Sequence, residues 1–342
     1  MFGGTLRTLV LEGDALARGT LHGSTFGGMI REYLDDRIGL AAQDTWSGGS
    51  VDRDLIVEIA EETLPHHEQY SEDLHAEMVA MAAAAGITPA EAVVVGGFTD
   101  LVDVIRSRVG TAPVEHNCTA VLNPAAGFHA QTWDMHASAG EFVVLADVRP
   151  ESGPRSLVQT TAGCLGQMGM NEAGITVGIN NLTSMGRPGV TWPTVVRRVL
   201  ASTNFTEAVD SVVDADLAGG HNFMVMDSDG NAANIEAMPS NKRVTLVTGS
   251  HVHTNHCVDP LTASEEGDRL QEHIGNSIDR LDAADKLADD VDGFFGEPLI
   301  SRRVEGIHDV GTCGAVIMEP ALGRLRAVWG VPGDHPWETF EL

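Results

Sequence analysis

The sequence predicts an α+β fold in which a helical first third leads into stacked antiparallel sheets with helices on the outside. Three observations carry this. Up to about residue 110 the apolar residues recur at helical spacing. From about Cys118 onward they give way to short apolar runs bounded by Gly and Asn. Within that second part Asp229-Gly230 is a hairpin turn signal, and two helical stretches interrupt the runs.

In the first part, Gly27 to Leu40 carries Met29, Ile30, Tyr33, Leu34 and Ile38 on one helical face. Asp54 to Leu64 repeats Leu55, Ile56, Ile59 and Ala60, and Pro65 is expected to end it. Leu74 to Ala85 is rich in Ala and Met and stops at Gly86. Thr88-Pro89-Ala90-Glu91 reads as a helix start, with a capping Thr, Pro at the first helical position and Glu completing a capping box. Gly110–His116 combines Gly, Pro and polar residues and reads as an exposed link. The expected strands are 118–122, 128–132, 142–147, 157–161, 175–180, 223–226, 233–237, 244–247, 313–318 and 325–329. Pro193 to Leu200 and Phe205 to Val213 read as helices between strands. Asp268 to Asp290 reads as an acidic helical pair with Leu270, Ile274, Ile278, Leu281 and Leu287 as its apolar residues.

The 342 residues suit one large domain or two ordinary ones. With 49 acidic and 21 basic residues the net charge is −28, which argues against a nucleic-acid binder and against docking on anionic membranes. Lys occurs only at Lys242 and Lys286, and the remaining basic residues are Arg. A salt-rich cytoplasm, where an acidic surface keeps a protein soluble, gives this balance, and so does a GC-rich genome. The four cysteines, Cys118, Cys164, Cys257 and Cys313, are far apart and do not form a disulfide framework. The N-terminus has no signal-peptide pattern, and no apolar run approaches the roughly 20 residues that span a bilayer. A cytoplasmic location is the expectation.

Candidate chemistry begins at Cys118, between the helical part and the first run of the second part. On position alone, a Cys at a strand start is usually a small buried hydrophobe. Asp134 lies beside Trp133 one hairpin later, where its ordinary use would be to cap a turn. Five stretches then occur in a fixed order: N-C-T at Asn117–Thr119 with A-Q-T-W-D-M at Ala130–Met135; G-Q-M-G-M-N-E-A-G-I-T-V-G-I-N-N-L at Gly166–Leu182; N-F-M-V-M-D-S-D-G-N-A-A-N-I-E at Asn222–Glu236; H-T-N-H at His253–His256; and T-C-G-A-V-I-M-E-P at Thr312–Pro320. Together they resemble the acyl-coenzyme A:6-aminopenicillanic-acid acyltransferase family, the C45 peptidases among the N-terminal-nucleophile (Ntn) hydrolases. The spacing of Gly19 and Gly23 resembles that family's N-terminal part.

The resemblance implies a four-layer αββα sandwich and a precursor that cuts itself between Asn117 and Cys118. Residues 1–117 would form a helical N-terminal segment and 118–342 a sheet-rich catalytic segment, both staying in one folded unit. It implies that Cys118 is a thiol nucleophile forming a thioester, with its freed α-amine, of pKa roughly 8, as general base. Asp134 matches the family Asp that holds that amine and assists cleavage. Asn255 matches an Asn that stabilises the oxyanion, and Asn180 a second such Asn seen in bile-salt hydrolases, with Asn181 the neighbouring alternative. Those relatives also place an Arg near the nucleophile, for which Arg302 and Arg303 are candidates, against the commoner use of two such neighbours as a solvated surface pair. The family usually has Gly where this chain has Asn117.

The expected substrate is a small amide or an acyl thioester, with amide hydrolysis slightly favoured because no basic patch for a coenzyme's phosphates is evident. No cofactor is expected. The rival from another class is a non-catalytic metal- or ligand-binding protein on the same fold, for which His251, His253, His256 and Cys257 form the densest ligand cluster. No second ligand pair stands at standard spacing, and the Gly163–Gly166 turn lacks the residues of a phosphate loop.

Overall fold

A computed structural model describes residues 5–43, 49–110 and 118–342. Asn117, and all of the expected link beyond Gly110, lie outside the described residues. The chain enters through a strand that the helical periodicity of the first third conceals. In β1 (Arg7–Gly13) inner and outer positions alternate, and β1 pairs in parallel with β4 (Val143–Pro150).

The helices that follow are α1 (Ala15–Ala41), α2 (Arg53–Glu61), α3 (Leu64–Tyr70), α4 (Glu72–Ala85), α5 (Pro89–Gly96) and α6 (Phe98–Val109). Pro65 does not end a helix. It sits in the first turn of α3, where its missing N–H costs nothing. Gly86 closes α4 in the left-handed conformation, and Thr88 and Glu91 form the expected capping box of α5. Helices α1 and α4 lie against each other because Gly19 and Gly23 carry no side chain. A Cβ on Gly19 would stand 2.1 Å from the Glu77 carbonyl oxygen, and one on Gly23 2.2 Å from that of Met81.

The second part builds two sheets. The larger has the order β1-β4-β5-β6-β7-β8-β9-β10, with β5 (Ser156–Thr161), β6 (Met168–Asn171), β7 (Thr176–Leu182), β8 (Gly220–Met226), β9 (Ala232–Ala237) and β10 (Lys242–Val247). The smaller has the order β11-β2-β3-β12-β13-β14, with β2 (Ala120–Asn123), β3 (Phe128–His136), β11 (His251–His253), β12 (Val310–Glu319), β13 (Arg324–Trp329) and β14 (Glu338–Glu341). Apart from β1 with β4, neighbouring strands are antiparallel. Strands β1, β6, β11 and β14 add to those expected.

The sheets meet face to face. Ala120 and Leu122 of β2 pack on Met224 and Met226 of β8, and the Gln131 side chain of β3 bonds both the N–H and the carbonyl of Ile179 in β7. Outside the larger sheet lie α7 (Trp192–Val199) and α8 (Phe205–Val213), joined to it through Val195, Val199 and Val212. After the single turn α9 (Pro260–Ala263), α10 (Gln271–Asp285) and α11 (Val291–Gly296) cover the smaller sheet through Ala284, Ala288, Phe294 and Phe295. This is the expected αββα layering.

The acidic stretch 268–290 differs from expectation in two ways. It holds one helix, α10, and Asp290 caps the next one, α11. Moreover Ile278 is 43 % exposed, while Ser277, Arg280, Ala284 and Ala288 form the buried stripe. One core runs through both halves of the chain: Tyr33, Phe98 and Ile105 join Trp133, Val144 and Val316. Among the described residues no single helix is long and apolar enough to cross a membrane.

Candidate active site

Cys118 stands two residues before β2 and is buried. Its sulfur accepts the Asp134 N–H at 3.4 Å, because β2 and β3 pair in antiparallel register. Burial, then the charge of Asp134, pushes the Cys118 thiol up to about 12, so the thiol is protonated at neutral pH. Two groups hold the Cys118 carbonyl oxygen: Asn180 Nδ2 at 3.2 Å and Arg280 Nη1 at 2.7 Å.

Asn180 reaches Cys118 across the gap between the sheets. Its Oδ1 accepts from Asn222 Nδ2 at 3.4 Å, and Asn222 also donates to Asn234 Oδ1 at 2.8 Å. This row of amides across β7, β8 and β9 orients Asn180 with its NH₂ towards the nucleophile. Of the adjacent pair, Asn180 is the inward residue, and Asn181 is on the opposite face of β7. Asn222 and Asn234 were legible only as parts of a motif.

Asn255 follows β11 and is fully buried. Its Oδ1 accepts from Arg280 Nη2 at 3.0 Å, its Nδ2 donates to the Asn181 carbonyl at 3.0 Å, and its N–H donates to Ser277 Oγ at 2.9 Å. Arg280 therefore ties Asn255 to Cys118, and its Nη1 also donates to Thr119 Oγ1 at 3.0 Å. Burial lowers the Arg280 pKa to about 10, against the attraction of Asp134, and it stays charged at neutral pH.

Arg280 is the residue the sequence reading missed. Neither Arg302 nor Arg303 occupies its place. Arg303 forms an exposed pair with Asp334, and half-buried Arg302 stands near Asp134 as a further positive charge. The signal for Arg280 was the pair of small residues, Ser277 and Ala284, flanking it on α10.

Asp134 is buried in β3. Opposite it, β12 carries a bulge between Thr312 and Gly314, which lets Thr312 Oγ1 donate to Asp134 Oδ1 at 2.8 Å. The other carboxylate oxygen, Oδ2, is buried without a partner. Burial pushes the Asp134 carboxyl up to about 6, although Arg280 and Thr312 pull it down. Beyond Thr312 opens a cavity of about 420 Å³ lined by Arg302, Cys313, Trp329 and His335 among others.

The His/Cys cluster is divided among structural bonds. His253 Nε2 lies 2.9 Å from Glu236 Oε1, His256 Nδ1 lies 2.8 Å from Ser277 Oγ, and Cys257 packs on Met238. Among the described residues no three His, Cys, Asp or Glu side chains are grouped to hold a metal.

The family model described as acyl-coenzyme A:6-aminopenicillanic acid acyl-transferase matches residues 123–301, just over half of the chain. The chain belongs to that family. The match takes in Asp134, Asn180, Asn255 and Arg280 and begins just after Cys118. Over nearly its whole length the chain is similar to the acyl-coenzyme A:6-aminopenicillanic-acid-acyltransferase 40 kDa form of Emericella nidulans, at 26 % identity, covering 97 % of this chain and 94 % of that protein. Among solved structures, penicillin V acylase from Agrobacterium tumefaciens is similar at 14 % identity and a TM-score of 0.44, covering 66 % of this chain and 86 % of that one. The R18L variant of conjugated bile acid hydrolase from Clostridium perfringens is similar at 14 % identity and a TM-score of 0.41, covering 66 % of this chain and 97 % of that one. Family membership supports an acyl-transferring or amide-cleaving role.

Proposed function

We propose that this member of the family is a self-processing cysteine enzyme that cuts itself between Asn117 and Cys118. It then moves acyl groups from a small amide or acyl thioester through a thioester on Cys118. The observation that carries this reading is the convergence on one residue: Asp134, Asn180 and Arg280, from three separate elements, all meet Cys118.

In the first step Cys118 Sγ attacks the Asn117 carbonyl carbon. The C–N bond breaks, the thiol proton passes to the departing amine, and the Asn117 acyl group rests on sulfur until water hydrolyses it. The product is Cys118 with a free α-amine. That amine has a pKa of roughly 8 and can take the proton from its own thiol, a base absent from the uncut residue, whose nitrogen is held in the peptide bond. The unpartnered Oδ2 of Asp134 fits an ammonium group beside the nucleophile. In turnover the thiolate attacks the substrate carbonyl, the amine or thiol leaves with a proton, and water or an acceptor amine resolves the thioester. The amide of Asn180, which donates to the Cys118 carbonyl, and that of Asn255, joined to the same carbonyl through Arg280, are neutral donors suited to a developing oxyanion. The cavity beyond Thr312 offers room for the substrate.

Intact-mass measurement tests the reading. Wild-type protein is expected as two fragments, the larger beginning at Cys118, and Cys118→Ala as one uncut chain. Cutting of Cys118→Ala at the same bond would exclude the self-cleavage step. Wild-type protein that cuts but gains no acyl mass on the Cys118 fragment from N-acyl amines or acyl thioesters would exclude the thioester.

A further inference from the structure

Behind the nucleophile, on the outer face of β7, lies a second set of polar groups that the acyl-transfer reading does not use. Asn180 faces inward to Cys118, so Asn181 and Thr183 face outward, towards α6 and the segment around Arg269. Thr183 Oγ1 and both side-chain polar atoms of Asn181 are buried without hydrogen-bond partners.

Two arginines share this region. Arg106, from α6, is 1 % exposed, and the Arg269 side chain is 2 % exposed. Arg269 is tied to the catalytic neighbourhood, because its Nη1 donates to the Asn255 carbonyl. It is tied to Thr183 through the chain, because Gly267 N–H donates to the Thr183 carbonyl at 2.9 Å. Arg106 lies close enough to Arg269 for its charge to lower the pKa of Arg269.

What sets these two apart is which edge of the guanidinium is used. Arg18, Arg37, Arg149, Arg155, Arg303 and Arg324 each place Nε and Nη2 together on one carboxylate. That edge presents two parallel N–H groups matched to a carboxylate. In both Arg106 and Arg269 the Nε and Nη2 atoms are buried and unpartnered. Each uses only Nη1: Arg106 on Asp103 at 3.1 Å, and Arg269 on the Asn255 carbonyl, with Glu266 at 3.9 Å. A buried cationic donor left unmatched is costly, so two such edges beside an unpaired amide and hydroxyl mark a place built for an anion.

The acids facing the site are Asp103, Glu266 and Asp100, with His221 beside Asp100 at 3.2 Å. Asp103 is already engaged by Ser184 N–H and Oγ, and burial raises its carboxyl to about 7, so it offsets Arg106 only in part. Glu266 accepts the Cys257 N–H.

We infer that the Nε–Nη2 edges of Arg106 and Arg269, together with Asn181 and Thr183, form a binding site for a small-molecule carboxylate, separated from Cys118 by strand β7. The ligand sits against both the segment before Cys118 and the segment after it, and it adjoins the backbone of Asn255. This site is independent of whether the chain cuts itself.

The test is a titration of wild-type protein at constant ionic strength, followed by thermal unfolding and calorimetry. The probes are acetate, succinate and N-acetylglycine, with acetamide and inorganic phosphate as controls. The expected result is saturable binding of at least one carboxylate, no response to acetamide, and at least tenfold weaker binding in Arg106→Gln and Arg269→Gln. Thr183→Val, which keeps the shape of the side chain and removes only the hydroxyl, is expected to weaken binding several-fold and covers the case of an arginine variant that does not fold. The inference is overturned if no carboxylate binds saturably, if acetamide binds equally well, if phosphate binds in place of every carboxylate, or if all folded variants bind like wild type.

Discussion

Replacing Asp134 by Asn is expected to make the protein more stable at neutral pH while slowing its chemistry. The carboxyl titrates at about 6 in the folded protein against a reference of 3.8. A raised carboxyl pKa means that the folded state favours the neutral form. The stability that neutral Asp134 contributes is complete below about pH 4 and is lost as pH rises through about 6. Each pKa unit corresponds to about 1.4 kcal/mol, so the ionised carboxylate costs the folded state about 3 kcal/mol at pH 7.5. Asn is nearly isosteric and neutral, and its Oδ1 can still accept from Thr312, which lies 2.8 Å from Asp134 Oδ1. The assay is urea unfolding of both proteins at pH 5 and pH 7.5, each in its uncut form on a Cys118→Ala background. The expected gain for Asp134→Asn is up to about 3 kcal/mol at pH 7.5 and about half of that at pH 5, where the folded carboxyl is largely protonated but the unfolded one is already ionised. Without the Cys118→Ala change, the same substitution is expected to slow cleavage. Equal effects on stability at the two pH values, or a loss at both, would refute the burial argument.

Other outcomes follow from the same packing. Arg280→Met removes the guanidinium joining Cys118, Thr119 and Asn255, and should lower acyl transfer at least tenfold in steady-state assays with circular dichroism unchanged. Glu77→Gln leaves Arg18 and Arg197 without their shared buried carboxylate, and should cost about 3–5 kcal/mol in urea unfolding. Gly23→Val must push α1 off α4, because its Cβ would stand 2.2 Å from the Met81 carbonyl oxygen, and thermal unfolding should show a loss of about 1–3 kcal/mol or more.

The parts of the fold legible in the sequence are those where local pattern and final environment agree. The capping box at Thr88 and Glu91, the left-handed Gly86 and the hairpin at Asp229-Gly230 each specify backbone geometry within a few residues. Strands such as β12 and β13 are apolar enough to stand out. Strand β6 did not, since Met168–Asn171 is only four residues with Gly169 in the middle. The helix α10 misled for a physical reason. One of its large apolar side chains, Ile278, faces outward, while a charged residue, Arg280, faces in because three buried acceptors wait for it. Burial of a charge depends on partners distant in sequence, and no helical periodicity reports them. Cys118, Asp134, Asn180 and Asn255 were named by motif resemblance, and the structure brings them within one network. The carboxylate edges of Arg106 and Arg269 carry no local signature, because what distinguishes them is a bond they do not make.

The shared core of the two halves has a thermodynamic consequence. Strand β1 and the helices α1 to α6 belong to the segment before Cys118, yet they pack into one core with β3, β4 and β12. Cleavage before Cys118 would change the molecularity of unfolding without moving an atom of that core. An uncut chain unfolds and refolds as one molecule, with a midpoint independent of concentration. A cut one must bring two polypeptides back together, so its midpoint should rise with protein concentration by mass action. Each act of self-processing would therefore convert a reversible fold into a heterodimer whose parts have a single opportunity to assemble, while they are still joined.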